Sequence, residues 1–150
     1  TYPAVYRGIL NFFGDIWTLI RDIVVINKDK DYNAVYLLKK GVNHSDVTKD
    51  NVNEKCYLIG HQANTNDFIT EFDFQRGVYF IPNKVGSNKK ADYNWVRGSN
   101  GQDTDKAVRV LLLGGRAISG SGAGSGGFGS NWVRSDSTAA VGFFTTVKLD

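Results

Sequence analysis

"AVRVLLLGGRAISGSGAGSGGFGSNWVRSDSTAAVGFFTTVKLD", residues 107–150, joins two apolar runs through a tract of glycine and serine, and the reading of that tract decides the fold. Gly122, Gly124 and Gly127 fit the Gly-x-Gly-x-x-Gly spacing and follow a strand-like run, as in a dinucleotide-binding turn. Such a turn needs a helix starting at the glycines, so that its N-terminal amides point at a pyrophosphate. It also needs a second strand with an acidic residue about 20 positions further on. "GFGSNWVRSDSTAAVG" has no helical period, and the chain ends at Asp150, too soon for a βαβ unit. A doubly wound α/β fold is set aside on that ground. A Walker loop is excluded because Gly-Lys-Ser/Thr does not occur.

Gly and Ser tracts otherwise make flexible coil. This one lies between two of the most strand-like runs of the chain, 108–113 and 141–147, and a long structureless connection inside a compact domain is uncommon and usually functional. It also contains Phe128, Trp132, Arg134 and Asp136, side chains of the kind that anchor ligands and that a spacer does not need. The tract reads as a binding surface held between two strands.

Outward from it, the chain offers more short apolar runs bounded by Gly, Asn and Asp: "AVYLLKKG", "KCYLIG" and "VYFIP", each of strand length. Turn-forming clusters separate them, among them "NHSD", "KDNVN", "QANTND" and "SNKKAD". Near the N-terminus, residues 8–13 can form a short helix and 23–26 are β-branched and strand-like. Between them Ile16, Leu19, Ile20 and Ile23 also fit helical spacing, so periodicity leaves this stretch undecided. The expectation is a single irregular α+β or mainly β domain over residues 1–150.

Composition narrows function by exclusion. The formal charge is +3, but the lysines are scattered and interleaved with Asp29, Asp31, Asp50 and Asp92, so no basic patch for nucleic acid stands out. No apolar run approaches the about 18 residues of a spanning helix, and no membrane insertion of this domain is expected. An upstream portion carrying a targeting or anchoring segment is compatible with a chain that starts at Thr1. Cys56 is the single cysteine, which rules out an internal disulfide; in "EKCYLIG" it reads as a small buried thiol of a strand. His44 and His61 are the only histidines and have no second His or Cys at ligand spacing, so no metal site is assigned. No Gly-x-Ser-x-Gly elbow occurs, and no catalytic residue or cofactor is assigned either. Asn43, His44 and Ser45 form a glycosylation sequon, to which no role is given.

Three segments in order carry a resemblance. "YRGILNFFGDIW" resembles the Tyr-Arg-Gly-Ile-Glu-Asn-Phe-Phe-Gly-Asn-Val-Trp signature of C-type-lectin-fold proteins of phage tails and of the variable proteins of diversity-generating retroelements. A related Gly-Asn-Val-Trp-Glu-Trp occurs in the formylglycine-generating enzyme family. "YFIPNKVGSNKKADYNW" resembles their Phe-Leu-Pro, Gly-Gly-Ser and Asp-Tyr pattern. The stretch from Val108 through "GFF" resembles the C-terminal variable region that starts at Gly-Gly and ends at Gly-Phe. The chain departs from these patterns at Leu10, Asp15, Leu19, Ala117 and Phe144.

The resemblance implies a C-type lectin fold with short helices and a mainly antiparallel, irregular sheet, and a variable region of about 114–142. It implies a ligand-binding display protein on a virion or cell surface, not an enzyme, that recognises varied protein or cell-surface targets and for which an oligomer is open. In such systems altered template adenines turn asparagine codons into many others, but never into those for Lys, Glu, Gln, Met or Trp. Residues 107–147 contain no Lys, Glu, Gln or Met, in keeping with that chemistry, while Trp132 requires a fixed position or another codon. The positions implied to bind ligand are Arg116, Ile118, Ser119, Gly122, Gly127, Gly129, Asn131, Trp132, Arg134, Asp136 and Ala140. Gly114, Gly115, Gly120, Gly124 and Gly142 fall where the scaffold uses glycine. The runner-up readings are a structural tail-fibre tip without diversification and an oxidase of the formylglycine-generating type. The chemistry of the latter needs a cysteine pair that Cys56 alone cannot supply. The Glu-Pro-Asn and Trp-Asn-Asp calcium ligand sets of C-type lectins have no counterpart, since Pro82 is preceded by Ile81.

Overall fold

The computed structural model describes residues 5–6, 9–10, 17–75, 79–86, 92–96, 106–113, 127–130 and 141–145. Two short strands, β1 (Val5–Tyr6) and β2 (Ile9–Leu10), pair with each other, so the helix that residues 8–13 could form is not what Ile9 and Leu10 adopt. The other described strands join one sheet around β3 (Trp17–Asn27). They are β4 (Tyr32–Leu38), β5 (Cys56–Ala63), β6 (Asp67–Gln75), β7 (Tyr79–Gly86), β8 (Tyr93–Trp95), β9 (Arg109–Leu113), β10 (Phe128–Gly129) and β11 (Val141–Thr145). Their order is β5-β4-β3-β9-β10-β8-β6-β7, with β11 beside the first half of β3. Among the described pairings only β10–β8 and β11–β3 are parallel, so the sheet is mixed and mostly antiparallel. The helical content described is one 3-10 turn, His44–Asp46, and one short helix, α1 (Val52–Lys55). This is the β-rich α+β architecture expected.

β3 settles the ambiguity of the N-terminal third. Its pairing with β9 shifts register between Ile20 and Val24, and the bulge returns Ile20 and Ile23 to the same face, where both are buried in one cluster. Residues three apart on one face are the mark of a helix, and here a bulged strand produces it.

The β3–β4 hairpin is closed by Asp29, whose Oδ1 accepts the amides of Asp31 at 2.8 Å and Tyr32 at 2.9 Å. An aspartate that satisfies the turn's own N–H groups explains why "NKDKDYN" reverses the chain here. At the far edge β7 pairs with β6 alone among the described strands, which is where the strand residue Pro82, lacking an N–H, can be accommodated.

The sheet curls until its terminal strands meet: Ile81 of β7 packs against Gly60 of β5. The enclosed face carries Ile20, Ile23, Val25, Val35, Leu37, Ile59, Ile81, Leu111 and Phe128, with Leu113 packed against them. Each such side chain contributes roughly 1.5–3 kcal/mol through burial. The outer face of β3 and β4 carries a second cluster, Val24, Ile26 and Leu38, covered by Val47 and Val52 from the β4–β5 connection. Asn51 shapes that connection: its Oδ1 accepts the Thr48 amide at 2.7 Å and its Nδ2 donates to the Asp46 carbonyl at 2.9 Å. Gly41, at φ +81°, supplies the left-handed residue of the turn after β4.

Candidate functional site

The Gly/Ser tract leaves the sheet from Leu113 and returns to it at Phe128. These two residues are cross-strand partners, and Leu112 and Gly129 are the next pair. On its other edge β10 runs parallel to β8, with Phe128 opposite Asn94 and Gly129 opposite Trp95. A two-residue strand is therefore held from both sides. The Ser130 amide extends the grip by donating to the Trp95 carbonyl at 2.9 Å. Phe128, 2% exposed, fixes the return point by filling the enclosed core.

Several ends meet near this point. Thr18 pairs with Leu113, and Val141, the start of β11, pairs with Trp17. The segments 114–126 and 131–140 thus each have an attachment at the end of the sheet where β3 begins.

Behind β10 the enclosed face turns polar. Gln62 of β5 donates from Nε2 to Asn94 Oδ1 at 2.7 Å, and its Oε1 accepts the Ser130 hydroxyl at 2.6 Å and, at 3.4 Å, the Asn33 amide. Asn94 donates to the carbonyls of Ala63 at 2.8 Å and Thr65 at 2.9 Å, and Asn27 donates to Asn33 Oδ1 at 3.0 Å. Asn33, Gln62, Asn94 and Ser130 are fully buried, as is Arg109, the cross-strand partner of Val25. Buried polar groups of this kind hold position because each lost bond would leave an unsatisfied partner. The network ties the residue after β10 to β4, β5 and β8 together.

On the other face Tyr93 packs edge-on against Phe68 at 4.9 Å between ring centroids and leans on Trp95 at 4.5 Å. Burial, with Asp67 adding, pushes the Tyr93 hydroxyl above its usual range, so it remains a neutral donor.

Of the positions implied by the resemblance, Gly127 and Gly129 lie in the described residues, and both are buried. Gly129 sits in a strand paired on both edges, and Gly127 directly precedes that strand. Arg116, Ile118, Ser119, Gly122, Asn131, Trp132, Arg134, Asp136 and Ala140 lie outside the described residues. Asn94, Gln62 and Ser130 carry no signal in the sequence, because a lone Asn, Gln or Ser acquires a partner only when the sheet brings the three together.

Among the described residues no group of three or more His, Cys, Asp or Glu side chains could hold a metal ion, and no helix is long and apolar enough to cross a membrane. Cys56 is buried and free, and burial pushes its thiol up to about 11. No protein-family model, curated protein or solved structure matches the chain.

Proposed function

We propose that the chain is a non-enzymatic recognition module that binds a protein or cell-surface ligand through side chains drawn from residues 114–142. Its scaffold is read as a C-type lectin fold of the kind varied by diversity-generating retroelements, displayed on a virion or a cell. The observation that carries the proposal is the Leu113–Phe128 pairing. A tract with the composition of a spacer begins and ends on adjacent positions of one sheet, so whatever it displays starts from a fixed base. Arg116, Ile118, Ser119 and Gly122 belong to the first segment, and Asn131, Trp132, Arg134, Asp136 and Ala140 to the second. Gly127 and Gly129 belong to the base.

The physics is that of a paratope, in which a few aromatic and Arg anchors supply contact energy and small residues between them are tolerated because the scaffold holds the backbone. Two experiments test it. Sequencing the gene's surroundings is expected to show a near-identical template repeat, rich in asparagine codons, and a reverse transcriptase gene; their absence leaves a tail-fibre tip without diversification. Given a ligand selected on the displayed protein, Arg116→Ala, Ile118→Ala, Trp132→Ala and Arg134→Ala should weaken binding without altering the unfolding midpoint. Binding indifferent to all four would overturn the assignment.

A further inference from the structure

A second surface lies at the other end of β3, on the outer face of the sheet. Ile26, Ala34 and His61 are successive cross-strand neighbours on β3, β4 and β5, and Tyr36 and Leu58 form the next pair along. With the segment carrying Lys49, Asp50, Val52 and Asn53 they line an open cleft of about 500 Å³. That volume is within the roughly 300–1,000 Å³ range of small-ligand sites. Its floor is apolar and accessible: Leu58 is 48% exposed, and the half-buried Tyr36 has no hydrogen bond to its hydroxyl among the described residues.

The charge lining the cleft is unbalanced. Lys28, Lys49 and Lys106 face one acid, Asp50, which Lys49 already holds at 3.1 Å in an exposed pair. At the opposite end, Lys106 Nζ donates to the Asn27 carbonyl at 2.9 Å, Asn27 Oδ1 at 3.2 Å and the Lys28 carbonyl at 2.8 Å. Three neutral acceptors thus fix the ammonium in place without cancelling its charge. Lys28 Nζ lies 3.5 Å from His61 Nε2, which leaves two of its N–H groups for another partner. The nearest acid in sequence, Asp29, keeps its charge and acts on Lys28, but the turn amides of Asp31 and Tyr32 fix its carboxylate outside the lining of the cleft.

We propose that this cleft binds a small organic carboxylate with an aromatic or aliphatic body, the carboxylate on Lys28 in the field of Lys106 and the body over Ile26, Tyr36 and Leu58. One lysine with two free donors suits one carboxylate. The apolar floor accounts for a body, and the lysine pair for its charge. The site does not depend on the recognition role proposed for residues 114–142, because it stands at the far end of β3 from Leu113.

The test is an amide chemical-shift titration of the isotope-labelled full chain with three probes: 3-phenylpropionate, the uncharged 3-phenyl-1-propanol, and acetate. For so small and open a contact, phenylpropionate should bind with a Kd on the order of 1 mM, shifting the amides of Lys28, Ala34, Leu58 and His61. The alcohol should bind about five-fold more weakly, the upper end for one exposed charge interaction, and acetate should not saturate. Lys28→Gln should erase the difference between acid and alcohol, and Leu58→Asp should remove both; unchanged unfolding midpoints keep these variants interpretable. The proposal is overturned if acid and alcohol bind alike to the unaltered chain, if the shifts map elsewhere, or if Lys28→Gln changes nothing. It is equally overturned if phenylpropionate fails while the acidic peptide acetyl-Asp-Glu-Phe-amide binds the same residues, which would make the surface a protein-docking face.

Discussion

Ser130 donates its hydroxyl to the side-chain oxygen of Gln62 at 2.6 Å, and neither residue has any exposed surface. The bond joins the end of β10 to β5, strands far apart in the order of the sheet, across its enclosed face. Ser130→Ala leaves Gln62 Oε1 with only the 3.4 Å contact from Asn33, so a nearly unsatisfied buried acceptor remains. The expected loss is about 1–3 kcal/mol, read as a lower urea midpoint at unchanged slope. Gln62→Ala should cost more, because it also strips Asn94 Oδ1 of its donor at 2.7 Å.

Where the terminal strands meet, Gly60 leaves room for a neighbour. A Cβ at Gly60 would stand 2.6 Å from Ile81 Cδ1, and Ile81 is fully buried. Gly60→Ala should therefore destabilise by about 1–3 kcal/mol through overpacking. Ile81→Val removes the offending methyl and alone costs about 0.5–1.5 kcal/mol. In a double-mutant cycle the Val change should cost less, or stabilise, when Ala is present at 60. Simple additivity would show that the two strands do not press together at this point.

The strands that could be read from sequence are those with short apolar runs bounded by turn residues, "AVYLL" in β4, "CYLIG" in β5, "YFIP" in β7, "RVLLL" in β9 and "VGFF" in β11. β6 escaped because its pairing with β7 shifts register on both sides of Glu71, so Ile69 is buried while Glu71, two positions on, is exposed and the two-residue alternation fails. β10 escaped for a different reason: Phe128 and Gly129 form a strand only because β8 and β9 flank them, and two residues have no period of their own. The candidate binding tract was recognisable from composition and place. Its clamp was not, because Gln62, Asn94 and Ser130 are distant in sequence and meet only when the sheet curls.

His61 is held below the ordinary histidine value of 6.5, first by burial and then by Lys28; Asp73 and Asp29 pull the other way without prevailing. Its neutral Nε2 faces the Lys28 ammonium at 3.5 Å, an arrangement that a proton on Nε2 would break. With the folded value depressed, the unfolded chain binds the proton more readily, so stability falls as pH drops below about 6.5 toward the folded midpoint. A proton-NMR titration should place the His61 midpoint under 6.5, and Lys28→Gln should raise it. His61→Gln should flatten this part of the stability profile between pH 7 and 5, and an unchanged slope would exclude His61 as its source.

Cys56 opens β5 at 4% exposure beside Lys39 and Lys55, whose charges do not offset the desolvation that lifts its thiol to about 11. At pH 8 almost no thiolate forms in the folded chain, and a disulfide reagent must wait for opening of the outer-face cluster. Reaction with such a reagent should be slow in buffer and immediate in denaturing urea. Fast labelling of the folded chain would mean that α1 does not cover this cluster as described.

The described strands hold the Gly/Ser tract at two attachment points, Leu113 and Phe128, and these separate what should be tolerated from what should not. For a freely jointed connection, doubling the length between Leu113 and Phe128 raises the closure cost by only about 0.6 kcal/mol. Phe128→Ala instead empties a fully enclosed position in the inner core cluster, with an expected cost of about 3–5 kcal/mol. Gly-Ser insertions after Ser121 and the Phe128→Ala substitution should thus differ several-fold in urea unfolding, although they are close in sequence. If the tract is a recognition surface, a ligand selected on the parent should be lost with the insertions while the fold survives, and lost together with the fold in Phe128→Ala. Insertions that unfold the chain as severely as Phe128→Ala would show that residues 114–126 belong to the core, and would remove the physical basis for treating them as a region free to vary.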